Sequence, residues 1–285
     1  MNYEQRVVAF LDILGFKSLL DETVDKDGND IEEKIDYIVS AYKVIREVWN
    51  LDNIDVLTQL QDPGSKKVSI FSDSIVVSFN VEDPSEVFST LLEIKHVIME
   101  LISRKILCRG AVAMGKFIHT DNYLFGPALV EAYTLESKAA MYPRVILDNS
   151  VIDAGVRYRS NRHSSITESK YVKSLLEQDS DGMYYIDYYF KAQSELNDPH
   201  YDFPVYIENL GNIIRAGLMG SSHHSKADLR VKYSWMRERY NRMVDIVSSS
   251  EFIDNLQSYN ETELSEFYMN LKKISPNKYT LKFKD

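Results

Sequence analysis

Residues Val7-Val8-Ala9-Phe10-Leu11 form an unbroken apolar run, closed by Asp12 and followed three residues later by Gly15. A short continuous apolar stretch bounded by a turn residue reads as a buried strand. Gly15 then permits a sharp turn into a short helix over Phe16 to Leu20. Such a strand has no use for a carboxylate, because an unpaired charge in low dielectric is costly. Asp12 therefore serves as a cap or turn residue, or it faces something positive.

The pattern that follows constrains the architecture further. After a polar loop from Asp21 to Asp30, apolar residues recur at Ile35, Ile38, Tyr42, Ile45 and Val48, the spacing of an amphipathic helix. Asp62-Pro63-Gly64-Ser65 reads as a turn. Lys67 to Phe71 and Ile75 to Phe79 are β-rich runs joined by Ser72-Asp73-Ser74, a hairpin with Asp73 near its tip. Asp83-Pro84 starts a helix with Val87, Leu91, Ile94, Ile98 and Leu101 on one face. Leu107 to Phe117 is strand-like, Gly126-Pro127 opens a helix through Ala140, and Arg144 to Asp148 is a further strand. This interleaving indicates an α+β sandwich with a mostly antiparallel sheet and helices on one face.

After Asn149 the character changes, so the expected division is 1–150 for a first domain and 151–285 for an extension. In that extension Ser160 to Lys170 reads as a loop and Met183 to Phe190 as a strand. Helices follow from Phe203, one with a stripe of Leu229, Tyr233, Met236, Tyr240, Met243 and Val247.

With 285 residues, 44% of them hydrophobic, the chain has ample material for a core. No apolar run is long enough to span a membrane. The first residues lack the features of a secretory signal. One cysteine, Cys108, fits a reducing compartment and core filling rather than a disulfide. A net charge of −10 argues against a nonspecific nucleic-acid coat. A cytoplasmic protein binding neither membrane nor nucleic acid is the expectation.

If the first strand and the hairpin are sheet neighbours, Asp12 and Asp73 meet at one edge. Two carboxylates beside a turned helix N-terminus suit a divalent cation with a phosphate, the backbone N–H groups of Leu14 to Lys17 pointing at the phosphate. The alternative is that Asp12 caps the Gly15 helix and Asp73 is an ordinary turn residue.

Phe10-Leu11-Asp12-Ile13-Leu14-Gly15-Phe16 resembles the first metal motif of class III nucleotidyl cyclases, and Ile70-Phe71-Ser72-Asp73-Ser74 their second. Cys108-Arg109-Gly110 with Gly115 is similar to the family's Arg-x-Gly strand. Four further segments look like the pyrimidine cyclases of the Pycsar antiphage system: Arg109-Gly110, Phe125-Gly126-Pro127-Ala128, Ala132-Tyr133-Thr134-Leu135-Glu136 and Tyr142-Pro143-Arg144. The resemblance covers roughly the first 150 residues. It implies a ferredoxin-like class III cyclase sandwich, with a mainly helical C-terminal extension appended. The implied reaction makes a 3′,5′-cyclic monophosphate and pyrophosphate from UTP or CTP, a second messenger read by a separate effector in antiphage defence.

The resemblance further implies two Mn²⁺ or Mg²⁺ ions per site on Asp12 and Asp73. Ile13, Leu14, Gly15 and Phe16 would lie at the nucleotide, and sites would form between the subunits of a homodimer. Where purine cyclases read the base, this chain has Ser69 and Tyr123; Ser69 cannot present the charge used there. Where the family carries a transition-state Asn and Arg, it has Val130 and Thr134, leaving Arg109, Lys138 or Arg144 as substitutes. Those gaps keep two other readings open: a degenerate cyclase-like sensor or scaffold, and an ATP or GTP cyclase.

Overall fold

A computed structural model of the chain describes residues 2–51 and 64–276. Asp62 and Pro63 of the expected turn lie outside the described residues. The chain divides into two compact units, Met1–Asp187 and Tyr188–Asp285.

The first unit is mixed α+β. Its strands are β1 (Glu4–Leu14), β2 (Lys67–Phe71), β3 (Ser74–Asn80), β4 (Leu107–His119), β5 (Leu124–Phe125), β6 (Val145–Leu147), β7 (Leu176–Gln178) and β8 (Tyr184–Ile186). They form one sheet in the order β2-β3-β1-β4-β6-β8-β7, with β5 paired to β4. Every pairing is antiparallel except β4 with β6. The helices are α1 (Phe16–Asp21), α2 (Glu32–Val48), α3 (Glu86–Ser103), α4 (Pro127–Lys138), α5 (Asn149–Arg157) and α6 (Ser165–Ser174). The segment order from β1 to β4, with helices after β1 and β3, is the ferredoxin-like pattern.

Strand β1 is central and buried on both faces: Val7, Val8, Ala9, Leu11 and Ile13 are all inside. Burying each of the valine, leucine and isoleucine side chains is worth roughly 1.5–3 kcal/mol. Because successive side chains alternate, both faces need cover. Val8 packs with Val76, Ala113 and Phe117 against Ala128 and Ala132 of α4. Val7, Ala9 and Leu11 point to the opposite face, where α3 reaches β4 and packs beside α2 and α5. The expectation of helices on one face is therefore corrected. A strand apolar at every position from Val7 to Leu11 cannot leave one side wet, and α4 closes it.

Two glycines set the local geometry. Gly15, at φ 77°, lets β1 turn directly into α1. Gly126, at φ 154°, starts α4, and a Cβ there would stand 2.6 Å from the Lys116 carbonyl oxygen and 2.8 Å from Phe117 Cα. Together with the small Ala128 and Ala132, it lets α4 lie close on the sheet.

Two readings beyond residue 150 need correction. Residues 165–170 of the expected loop belong to α6, started by Ser164, whose hydroxyl accepts from the Thr167 N–H at 3.1 Å. It buries Val172 and Glu168, the latter paired with His163 Nδ1 at 2.7 Å. The strand expected over Met183 to Phe190 is limited to Tyr184–Ile186, and Phe190 already opens a 3₁₀ turn through Glu195.

The second unit is helical: α7 (Pro199–Gly220), α8 (Ala227–Val247), α9 (Ser250–Ser258) and α10 (Thr262–Asn270). Met236, Tyr240, Met243 and Val247 of the expected stripe are buried, while Leu229 is exposed. Helices α7 and α8 meet where Gly211 faces the Tyr240 ring and Gly217 faces Tyr233.

The Gly126→Ala chain should lose about 3 kcal/mol of stability in urea unfolding, from backbone overlap and strain combined. Gly15→Ala, with nothing within 4 Å of the added Cβ, should lose about 1 kcal/mol. Equal losses at the two positions would refute the close seating of α4.

Candidate active site

Asp12 lies two residues before the end of β1, opposite Ser74 of β3 and Arg109 of β4. Its neighbour Ile13 donates its N–H to the Asp73 carbonyl oxygen at 2.9 Å. Two segments far apart in sequence are thus stitched at one sheet edge, and both aspartates belong to it. The hairpin tip is also held from α2, where the Tyr42 hydroxyl donates to the Ser72 carbonyl at 2.6 Å. Tyr42 in turn packs edge-on to Phe16, 6.3 Å between ring centres, which ties α1 to the same corner.

Arg109 connects Asp12 to α4. Its Nε stands 3.6 Å from Asp12 Oδ2 and 2.5 Å from Glu136 Oε1. Glu136 is fully buried, whereas Asp12 and Arg109 keep about a fifth of their side-chain surface exposed. Arg109 is thus shared between the buried carboxylate on α4 and Asp12 at the strand end. Cys108, beside Arg109, has its thiol pushed up to about 12 by burial first and by the Asp12 charge second, so it stays protonated and inert.

A second polar cluster lies elsewhere on the same unit. His119, at the end of β4, has Nε2 2.9 Å from the Ser69 hydroxyl on β2 and Nδ1 2.8 Å from the Ser78 hydroxyl on β3. Arg6 Nε donates to that Ser78 oxygen at 3.0 Å. Burial, and then the positive charges of Arg6 and Lys67, lower His119 from its ordinary 6.5 to about 4, against a small opposing effect of Asp121. The ring is neutral at physiological pH.

The sequence-derived residues distribute as follows. Asp12, Ile13, Leu14, Gly15, Phe16, Asp73 and Arg109 come together at the β1–hairpin corner. The Ile13 N–H goes to the hairpin, and Leu14, the first of the residues whose N–H groups are expected at a phosphate, still lies in the ladder opposite Leu107. Arg144 does not join them. It is 1% exposed and pairs with Asp179 at 2.6 Å and with Asp181, so its charge is met inside the fold. Tyr123 sits in the turn before β5 with its side chain about half exposed and its carbonyl accepting from Thr120. The partner of Ser69 is His119, and the buried partner of Arg109 is Glu136; neither was assigned a role from the sequence. Glu136 had a signal, a carboxylate on the inner face of a helix otherwise lined by alanines.

Two carboxylates at one edge are a donor set suited to Mg²⁺ or Mn²⁺, which use one or two carboxylates together with substrate phosphates. Among the described residues no group of three or more metal-ligating side chains occurs, so no self-sufficient protein cage is present.

No protein-family model and no curated relative matches the chain. Among solved structures it is similar to a bacterial light-regulated adenylyl cyclase, with 15% identity over 53% of this chain and 45% of that chain, at a TM-score of 0.34. It is similar to the guanylyl cyclase domain of the RhoGC fusion protein from the aquatic fungus Blastocladiella emersonii, with 13% identity over 65% of this chain and 96% of that one, at 0.34. It is also similar to a class III adenylyl cyclase-like ATP-binding protein from Pseudomonas aeruginosa, with 13% identity over 60% and 39%, at 0.36. This chain thus spans less than half the length of the first and third. Likenesses of this strength say nothing of activity.

Truncating Glu136 to Ala should cost about 2 kcal/mol in thermal or urea unfolding, less than the roughly 3–5 of a fully buried pair because Arg109 keeps some solvent. An unchanged midpoint would refute the Arg109–Glu136 pairing. His119 has its own pH signature. Its pKa is lower folded than unfolded, so the unfolded chain binds more protons between about 4 and 6.5. Its contribution is complete above that window and is lost on acidification through it. The stability difference between wild type and His119→Gln should shrink from pH 7 to 4.5 in urea titrations; a constant difference would refute the buried neutral ring.

Proposed function

We propose that the first unit is a nucleotidyl cyclase domain that converts a pyrimidine nucleoside triphosphate, UTP or CTP, into its 3′,5′-cyclic monophosphate and pyrophosphate. The observation that carries this reading is the meeting of Asp12 and Asp73 through the Ile13–Asp73 backbone bond at the end of a ferredoxin-like sheet. The motifs around both aspartates resemble the two metal motifs of class III cyclases.

Asp12 and Asp73 would hold the divalent cations together with the triphosphate. Ions bound there supply acidity to the 3′-hydroxyl and offset charge on the phosphates. In the reaction the substrate 3′-oxygen attacks the α-phosphorus in line and pyrophosphate leaves. Arg109, paired with both Asp12 and Glu136, would set the field at the metal-holding carboxylate. Phe71, Val130 and Tyr133 are exposed apolar residues suited to a second copy of the chain, which would complete the site in a head-to-tail homodimer. The product fits a messenger read by a separate effector, as the Pycsar resemblance implies.

One observation favours a second reading, a nucleotide-sensing or scaffold domain without turnover. Val130 and Thr134 stand where an amide and a cation are expected, and the Thr134 hydroxyl donates back to the Val130 carbonyl at 2.6 Å. Arg144 is committed to Asp179 and Asp181. A purine cyclase is the third outcome.

Incubating the purified chain with Mn²⁺ and each of the four ribonucleoside triphosphates, with the products resolved by chromatography, separates these readings. The expected result is a cyclic pyrimidine nucleotide, reduced at least about a hundredfold by Asp73→Ala or Asp12→Ala with the circular dichroism spectrum unchanged. Product only from ATP or GTP would overturn the pyrimidine assignment, and no product from any would leave the sensor. Full turnover by Asp73→Ala would overturn the metal assignment.

A further inference from the structure

The cluster of Arg6, Ser78, His119 and Ser69 has a direction that its distances determine. A guanidinium can only donate, so the Arg6 Nε–H places Ser78 Oγ in the acceptor role. The single hydrogen of the Ser78 hydroxyl must then go to another acceptor, and Nδ1 of His119 stands 2.8 Å away. With Nδ1 accepting, the neutral ring carries its proton on Nε2, which faces the Ser69 oxygen at 2.9 Å. The opposite tautomer would leave the Ser78 hydrogen without an acceptor among the described residues. Burial and the charges of Arg6 and Lys67 keep a second proton off the ring. Ser69 therefore receives a hydrogen bond from behind. Its own hydroxyl hydrogen has no acceptor among the described residues, and Ser69 is only half-buried.

We propose that His119 is a specificity-determining positioning residue, holding Ser69 as an outward hydrogen-bond donor so that the site selects a base with a carbonyl oxygen at that edge over one with an amino group. This rests on the reading of Ser69 as a base-contacting residue. Among pyrimidines the donor favours uracil, whose 4-position is a carbonyl, over cytosine, whose 4-position is an amino group. An amino group there can reach only the remaining lone pair of the Ser69 oxygen and leaves the Ser69 hydrogen unpaired in a partly dry site. The relay couples four separate strands: Arg6 on β1, Ser69 on β2, Ser78 on β3 and His119 on β4.

The test pairs kinetics with spectroscopy. Wild type should turn over UTP with a kcat/KM at least about tenfold above that for CTP. Ser69→Ala should bring the ratio within about threefold of unity. His119→Phe should do the same while retaining turnover of both nucleotides, since the residue lies apart from Asp12 and Asp73. His119→Gln, which keeps an N–H donor toward Ser69, should restore part of the preference. Independently, ¹⁵N shifts of His119 should show the neutral Nε2–H tautomer.

A Ser69→Ala chain that keeps the full preference, a wild type that favours CTP, or an Nδ1–H ring overturns the inference and leaves the cyclase reading standing. No cyclic product from any nucleotide overturns the cyclase reading and with it the base selection. The relay itself is then decided by the tautomer.

Discussion

The burial of β1 on both faces is the constraint from which the first unit follows. A strand apolar at five consecutive positions cannot sit at a sheet edge or under solvent, so β3 and β4 must flank it and helices must cover both sides. Once it is central, its register decides what stands beside Asp12: Ser74 on one side and Arg109 on the other. The chemistry of the corner is then a by-product of packing. A one-residue slip of β1 would turn Asp12 toward α3 and replace it with a hydrophobic neighbour.

Charge placement repeats one theme in this unit. Arg6, Arg109 and Arg144 each leave a strand or strand edge, and each meets oxygen partners inside the protein. These groups do different work. Arg144, met by Asp179 and Asp181, joins the segment before β6 to the turn between β7 and β8. Arg109 remains shared between a structural carboxylate and one at the candidate site. Arg6 is a donor at the head of a hydrogen-bonded line that ends at a half-exposed serine. Buried ion pairs are weak evidence for stability but strong evidence for fixed geometry, because breaking one leaves a charge stranded.

Much of the fold was legible in the chain because periodicity reports burial directly. The first strand, the hairpin with Asp73 at its tip, and the helices over 32–48, 86–103 and 127–138 follow from apolar spacing and turn residues. What escaped was polar and long-range. The segment at Ser165–Ser174 looks like a loop because its helix is mostly solvated and anchored by Val172 and one buried carboxylate, Glu168, which a hydrophobic pattern does not register. Strand β4 runs to His119, two residues past the strand-like stretch Leu107 to Phe117. His119 is inside because its partners, Ser69 and Ser78, arrive from two other strands. Arg144 looked available for catalysis because Asp179 and Asp181 lie more than thirty residues away. A motif names a position, and only the fold says what that position faces.

The central placement of β1 has a consequence for biosynthesis. Its two sheet partners are made much later, and β4 is complete only when His119 has left the ribosome. Until then Val7 to Leu11 is an unpaired, strongly β-prone segment with no cover on either side. Nascent chains thus carry Val7 to Leu11 without its full cover through the synthesis of about a hundred residues, an interval in which a holdase chaperone would limit self-association.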